Sequence, residues 1–323
     1  MNTFKWLLKR EYWEHRGGLF WAPVVTSAIF IFFTIVALLL AALGINQANE
    51  MHTGLDISEG IAQLGNPDNQ ADVSAGLELI FYMLGHPIMI VMAFVGFFYC
   101  LSSLYDERKD RSILFWKSLP ISDHLTVASK VVTATLIVPL VAVIGASVTA
   151  LVIMVVLSIF VAAHGANPIY FWDVGAIAKA IFNMFAAVPI YALWALPTVG
   201  WLMLCSAWAR RVPFIWAVLV PVLSGVLVWM LGVLDLFGKS TGWFWGQIVG
   251  RVLSGTIPGM DIIYRVAHQP VSDHVDGPAD LVAQLSVSAN YAVFAMPQMW
   301  IGVALGALMI FAAIRLRGNR DEG

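Results

Sequence analysis

The side chains able to do chemistry are kept out of the apolar part of this chain. Six stretches (20–43, 79–104, 131–163, 180–209, 212–234 and 291–314) contain no acidic or basic residue, and His86 is their one histidine. An intramembrane protease or transferase needs a Ser/His pair, paired carboxylates or a metal-ligand set at that depth, so the empty runs argue against an enzyme. No G-x-x-x-x-G-K-[ST] segment occurs. The chain therefore does not cradle nucleotide phosphates by that device, and ATP-driven work would need another subunit. Cys100 and Cys205 both lie inside apolar runs with no C-x-x-C spacing, which speaks against zinc, redox chemistry or a structural disulfide. His268, Asp273, His274 and Asp276 are spaced irregularly among Gly, Pro and Ser, a pattern that suits a solvated loop better than a metal site. No catalytic, cofactor-binding or metal-binding residue is assigned.

What remains inside the runs bears on motion. His86 precedes Pro87, Pro139 sits in the third run, and Pro189 and Pro197 are eight residues apart in the fourth. These residues are candidates for kinks or a gate; the plain alternative is that neighbouring helices accommodate the prolines and that His86 is hydrogen-bonded within the bundle.

The elements that must position these residues follow from composition. Of 323 residues, 60% are hydrophobic and 12% charged, about half the charged fraction of a soluble domain, and mean hydropathy is +0.81. Each run exceeds the ~18 apolar residues that mark a spanning candidate, so about half the chain belongs in lipid. Run 20–43 is too long for a signal h-region and reads as a retained helix. The net charge of −2 gives no basic surplus for nucleic acid. With the N-terminus inside, fourteen of the 18 basic residues fall on inner segments, which places both termini in the cytoplasm. The first outer segment, 44–78, holds six carboxylates and no Lys or Arg, and the second, 235–290, opens with a Trp/Phe/Gly cluster suited to a membrane interface. Gly302 and Gly306 form a G-x-x-x-G spacing, expected to pack helices inside one bundle.

Two inner segments carry most information. Residues 4–16 lack Gly and Pro, and a helical wheel groups Phe4, Leu7, Leu8 and Tyr12 beside a side bearing Lys5, Lys9 and Arg16, with Arg10 also in this stretch. It reads as an interfacial helix on the inner leaflet, turned into the membrane by Gly17 and Gly18, with a plain anchoring flank as the alternative. Segment 105–130 passes from charged residues through an apolar patch to Pro120, with Ser122 and Asp123 able to cap the next helix. Its form is a rigid amphipathic protrusion; an ordinary connector is the alternative.

In sequence order, an acidic-Glu-Arg, a small residue, a Leu, a Pro-Ile-Ser and a Lys opening the third run fall on Glu107, Arg108, Ser112, Leu114, Pro120, Ile121, Ser122 and Lys130. With the six-span layout, this resembles the membrane (permease) subunit of a type 2 ABC transporter, the ABC-2 exporter family. The motif-level likeness covers roughly 25 residues. It departs where Arg111 and Ser112 stand in place of a small pair that often includes Gly.

The resemblance implies an all-α polytopic membrane protein: six transmembrane helices, an N-terminal elbow helix (1–19), a coupling helix within the inner loop 105–130, two outer loops and an inner tail (315–323). It implies an inner-membrane permease half that pairs with a second permease chain, same or homologous, and two separate ATP-binding subunits carrying ATP and Mg. It also implies contact between those subunits and Glu107, Arg108, Arg111, Ser112, Phe115, Lys117, Leu119, Pro120 and Ser122, with the elbow residues Lys5, Lys9, Arg10, Tyr12 and Arg16 moved alongside. Charge-free spans suit an amphipathic, lipid-like or peptide substrate. A mechanical relay to an envelope or periplasmic partner, and a non-ABC polytopic enzyme or scaffold, are the alternative readings.

Overall fold

A computed structural model describes residues 3–50, 70–112, 121–232, 240–267 and 277–319. These residues fold as helices and their connections, with no strand among them, and six helices are long and apolar enough to cross a membrane. The described residues make an all-helical, multi-pass membrane protein.

Helix α1 (Thr3–Glu14) leads through a π-helical turn, Gly17–Trp21, into α2 (Ala22–Glu50). The residues flanking that turn have right-handed helical torsions, so the glycine pair makes a widened turn of helix where the sequence suggested an open hinge. Helix α3 (Gln70–Ser102) starts ahead of the second apolar run, with Asp72 in its first turn and Glu78 buried in it. The short α4 (Tyr105–Lys109) follows. Ser122 then caps α5 (Asp123–Val132), accepting from the Leu125 N–H at 3.3 Å.

The third span continues from α5 through a π-helical segment, Thr133–Ile137, into α6 (Val138–Ala163), which carries Pro139 in its first turn. The wide turn ahead of Pro139 accommodates the N–H that proline lacks. Gly165 closes α6 at φ +80 while the Ala166 and Gly165 N–H groups bond back to Val161 and Ala162, the left-handed helix ending that glycine permits. Helix α7 (Val174–Trp194) is capped by Asp173 and followed by α8 (Leu196–Trp208), with the break at Ala195, just before Pro197. Pro87 and Pro189 lie within continuous helices. Helix α9 (Pro213–Leu231) precedes the segment α10 (Thr241–Phe244), π-turn Trp245–Gly250, α11 (Arg251–Ser254) and α12 (Met260–Ala267). Then come α13 (Pro278–Leu285), α14 (Val287–Tyr291) and the last span α15 (Pro297–Asn319). That span begins at Pro297 rather than at the start of the apolar run, because residues 292–295 form a 3-10 turn.

Two cores organise the bundle. Leu19 of the π-helical turn, Phe81, Ile88, Met92, Ala146 and Met184, with Phe30 of α2 packed against them, join that turn to α3, α6 and α7, while Cys100, Leu104, Val127, Leu202, Met203 and Ala313 join α3, α5, α8 and α15. Both cysteines are free and buried. Helices α8 and α15 approach most closely, and the glycines explain why. A Cβ on Gly200 would lie 2.6 Å from the Gly306 carbonyl oxygen, and one on Gly306 would lie 2.6 Å from the Leu196 carbonyl. The G-x-x-x-G spacing is thus used within this chain.

Residues 240–267 enter the bundle. Thr198 donates to the Arg251 carbonyl (2.7 Å), Tyr191 donates to the Thr256 carbonyl (3.0 Å), and Arg251 Nη1 donates to the Gln298 carbonyl (2.6 Å). Thr198 lies ten residues before Trp208, about 15 Å along the helix, so the segment is re-entrant rather than a surface loop.

Candidate functional site

At the end of the bundle where α1, α4, the start of α5 and the end of α15 meet, charged side chains are buried together. Glu11 is fully buried. Its Oε1 accepts from Arg10 Nη2 (2.8 Å) and Lys130 Nζ (3.0 Å), and its Oε2 from the Tyr99 hydroxyl (2.8 Å). Glu107 shares the same cations: its Oε1 accepts from Arg10 Nη2 (3.0 Å) and pairs with Lys130 Nζ (3.1 Å), and its Oε2 accepts from Arg317 Nη1. Arg317 Nε donates to Asp123 Oδ1 at 2.9 Å. Three carboxylates (Glu11, Glu107, Asp123) therefore meet three cations (Arg10, Lys130, Arg317), which satisfies the requirement that buried charge be paired and hydrogen-bonded. His15 stacks edge-on against Tyr99 at 4.7 Å.

The local backbone explains how these residues converge. Leu104 and Tyr105 N–H groups donate to the buried Ser206 hydroxyl at 3.1 and 2.9 Å. Arg108 reaches back to the Ser206 and Ala209 carbonyls (2.5 and 3.0 Å), supplying positive charge to the exposed carbonyls at the end of α8. With α4 pinned at both ends, Glu107 is forced inward. Arg111 follows at φ +56, a left-handed torsion that favours glycine, at the position where the resembled pattern often has a small pair including Gly.

Of the expected inner-loop contacts, Phe115, Lys117, Leu119 and Pro120 lie outside the described residues. Glu107 is buried and Arg108 half-buried, their carboxylate and guanidinium engaged with the cluster and with the end of α8. Ser112 donates to the Glu107 carbonyl (3.3 Å), and Ser122 caps α5. On α1, Lys5, Lys9 and Arg16 are exposed, Lys9 lying 5.0 Å over the Trp6 ring, while Tyr12 packs on the first core. Arg10 is turned inward, and Leu7 and Glu11 are the buried positions of the helix. Sequence reasoning missed Glu11, Tyr99, Asp123 as an ion-pair partner, and Arg317. The available signal was a carboxylate on the apolar side of the α1 wheel, one turn from Leu7.

A second feature is a cavity of about 380 Å³ between α3, α6, α7 and the re-entrant segment. His86, Pro139 and Tyr191 are on its wall. His86 is exposed there and makes no hydrogen bond to a described residue, against the expectation of a bond within the bundle. Near its far end Glu78 is buried among Lys179 (2.9 Å), Asn183 (3.2 Å) and Tyr82 (3.4 Å). No group of three or more metal-ligating side chains occurs among the described residues.

Searches against family models, curated proteins and solved structures found no match to this chain.

Proposed function

We propose that the chain is the membrane subunit of an ABC-type exporter in the inner membrane, with both termini cytoplasmic. In this reading it is not itself an enzyme: two separate ATP-binding subunits hold ATP and Mg, and a second permease chain, identical or homologous, completes the pathway. The substrate is amphipathic, lipid-like or a peptide, lipids surround the spans, and nucleic acid plays no part.

The observation that carries this reading is the buried ion-pair cluster. Helices α4 and α5 flank the inner loop, and the cluster ties both of them to α1 and to α15. A push transmitted through α4 and α5 would move the first, second, third and last spans together. That is the mechanical property a loop docked on a closing ATPase requires, provided nucleotide favours one of two bundle arrangements. The cavity, open and mostly apolar, supports an amphipathic cargo. A relay to an envelope partner would use the same cluster, with the outer loop 235–290 as the contact.

The test is a mild-detergent pull-down of the tagged native protein, with partners identified by mass spectrometry and ATP hydrolysis assayed on wild type and on an Arg111→Glu, Pro120→Gly double variant. Recovery of an ATP-binding subunit that the variant loses or uncouples supports the proposal. Failure to recover any ATPase in several detergents overturns it. ATP-dependent movement of a labelled amphiphile in vesicles then separates transport from relay.

A further inference from the structure

The cavity between α3, α6 and α7 has two unlike ends. Towards the ion-pair cluster its wall is apolar and soft, with Met89, Met92, Ala142 and Val143. Methionines of this kind adapt to ligands of varied outline. Tyr82 and Asn183 stand towards the opposite end, and Asn290 and Asp261 complete the polar part of the wall. Between the ends, Met83 and His86 are exposed, so the cavity opens sideways, where lipid would lie. Its volume of about 380 Å³ falls within the range of small-molecule sites and accommodates about a dozen water-sized groups.

Charge distinguishes the polar end. Asp261 lines the cavity, and no side-chain hydrogen bond or ion pair joins its carboxylate to a described residue. The nearest cation, Arg265, directs its hydrogen bonds to Gln284 and Asn290 (2.7–3.1 Å). Glu78 behind Tyr82 and Asn183 is matched by Lys179, and His86 is the remaining titratable side chain on the wall besides the two tyrosines. A group entering here meets acceptors and one carboxylate short of a side-chain donor. A half-buried carboxylate without a side-chain partner is costly, and a ligand that supplied a donating cation would lower the cost.

We infer that this cavity binds a single-chain amphiphile with an amine head group, its apolar tail among the methionines and its head at Asp261. The inference deepens the exporter reading by naming the cargo class, and it rests on that reading only for the word cargo. Binding itself requires no ATPase.

The experiment uses the purified full chain in phosphatidylcholine nanodiscs, with a diazirine derivative of dodecylamine and the matching derivative of dodecanoic acid as probes. Labelled residues are mapped by mass spectrometry. The amine should label cavity residues such as Met83, Met92 and Met184 and be displaced by unlabelled dodecylamine, and the acid should label them several-fold less. Ala142→Phe, which fills the cavity, should abolish this labelling, and Leu227→Phe on the exposed face of α9 should leave it unchanged. Asp261→Asn, nearly isosteric, should lower amine labelling by about tenfold, the loss of one charge-assisted hydrogen bond, and so decides the matter even if Ala142→Phe does not fold. Equal labelling by amine and acid, or labelling unaffected by Asp261→Asn, would overturn the inference while leaving the pull-down result untouched. Conversely, a pull-down without an ATPase would remove the exporter reading and leave the site standing.

Discussion

Each buried charge in the cluster is compensated by a partner distant in sequence: Lys130 is 119 residues from Glu11, and Arg317 is 210 from Glu107. Removing one member leaves an uncompensated buried charge, which costs about 3–5 kcal/mol. Lys130→Met should therefore lower the unfolding temperature sharply in detergent, whereas raising salt to about 1 M, where exposed pairs are screened, should leave wild type nearly unmoved. A wild type that loses stability in salt as the variant does by substitution would show the cluster to be solvated. Asp261 behaves differently. Burial pushes its carboxyl up from the ordinary value, outweighing the backbone N–H groups and Arg265. The folded state thus holds the proton more tightly than the unfolded one, and the stability this contributes is full below the ordinary carboxylate range and lost as pH rises through the raised value. Asp261→Asn should stabilise the ligand-free chain at neutral pH, with the gain fading on acidification. A thermal-shift series across pH measures it, and a gain that grows towards acid would contradict the assignment. Arg10, Glu107 and Lys130 were visible in sequence as parts of recognisable segments. Glu11 and Arg317 were not, because a charge in a polar terminal segment reads as solvated until folding supplies its partner.

At the scale of elements, the spans were legible because long uncharged runs leave no other environment for them. Their ends were less so. Helix α3 extends back to Gln70 because Asp72 and Glu78 are accommodated, Glu78 by Lys179 and Asn183, and an exclusion based on charge stops short of both. The re-entrant segment was hidden for the same reason: Arg251 counted as an outer-loop cation, yet it is buried, lies 4.2 Å over Trp194 and occupies the space left by the missing side chain of Gly302. Helix contact makes a sharper prediction. Gly306→Leu should force α8 from α15 and leave little folded protein by size-exclusion chromatography. Gly17→Ala, with nothing within 4 Å of the added Cβ, should change the unfolding free energy by less than about 1 kcal/mol. Equal tolerance at both positions would refute the packing described.

For the whole molecule, the fold brings the first helix and the end of the last span to one end, as an even number of crossings demands, and the basic residues gather there. Membrane-impermeant thiol labelling in intact cells should therefore reach a cysteine at Gly277 and not one at Arg315, with the pattern reversed in inverted vesicles. The central claim is that the cluster transmits an ATPase's motion from the helices flanking the inner loop, α4 and α5, to the spans. It is tested most directly by comparing ATP hydrolysis of the co-purified complex in nanodiscs with wild-type chain and with Glu107→Gln, at a temperature where both remain folded. The account predicts that the ATPase still co-purifies with the variant but hydrolyses ATP at the rate of the isolated subunit. Hydrolysis identical to that of the wild-type complex would contradict it.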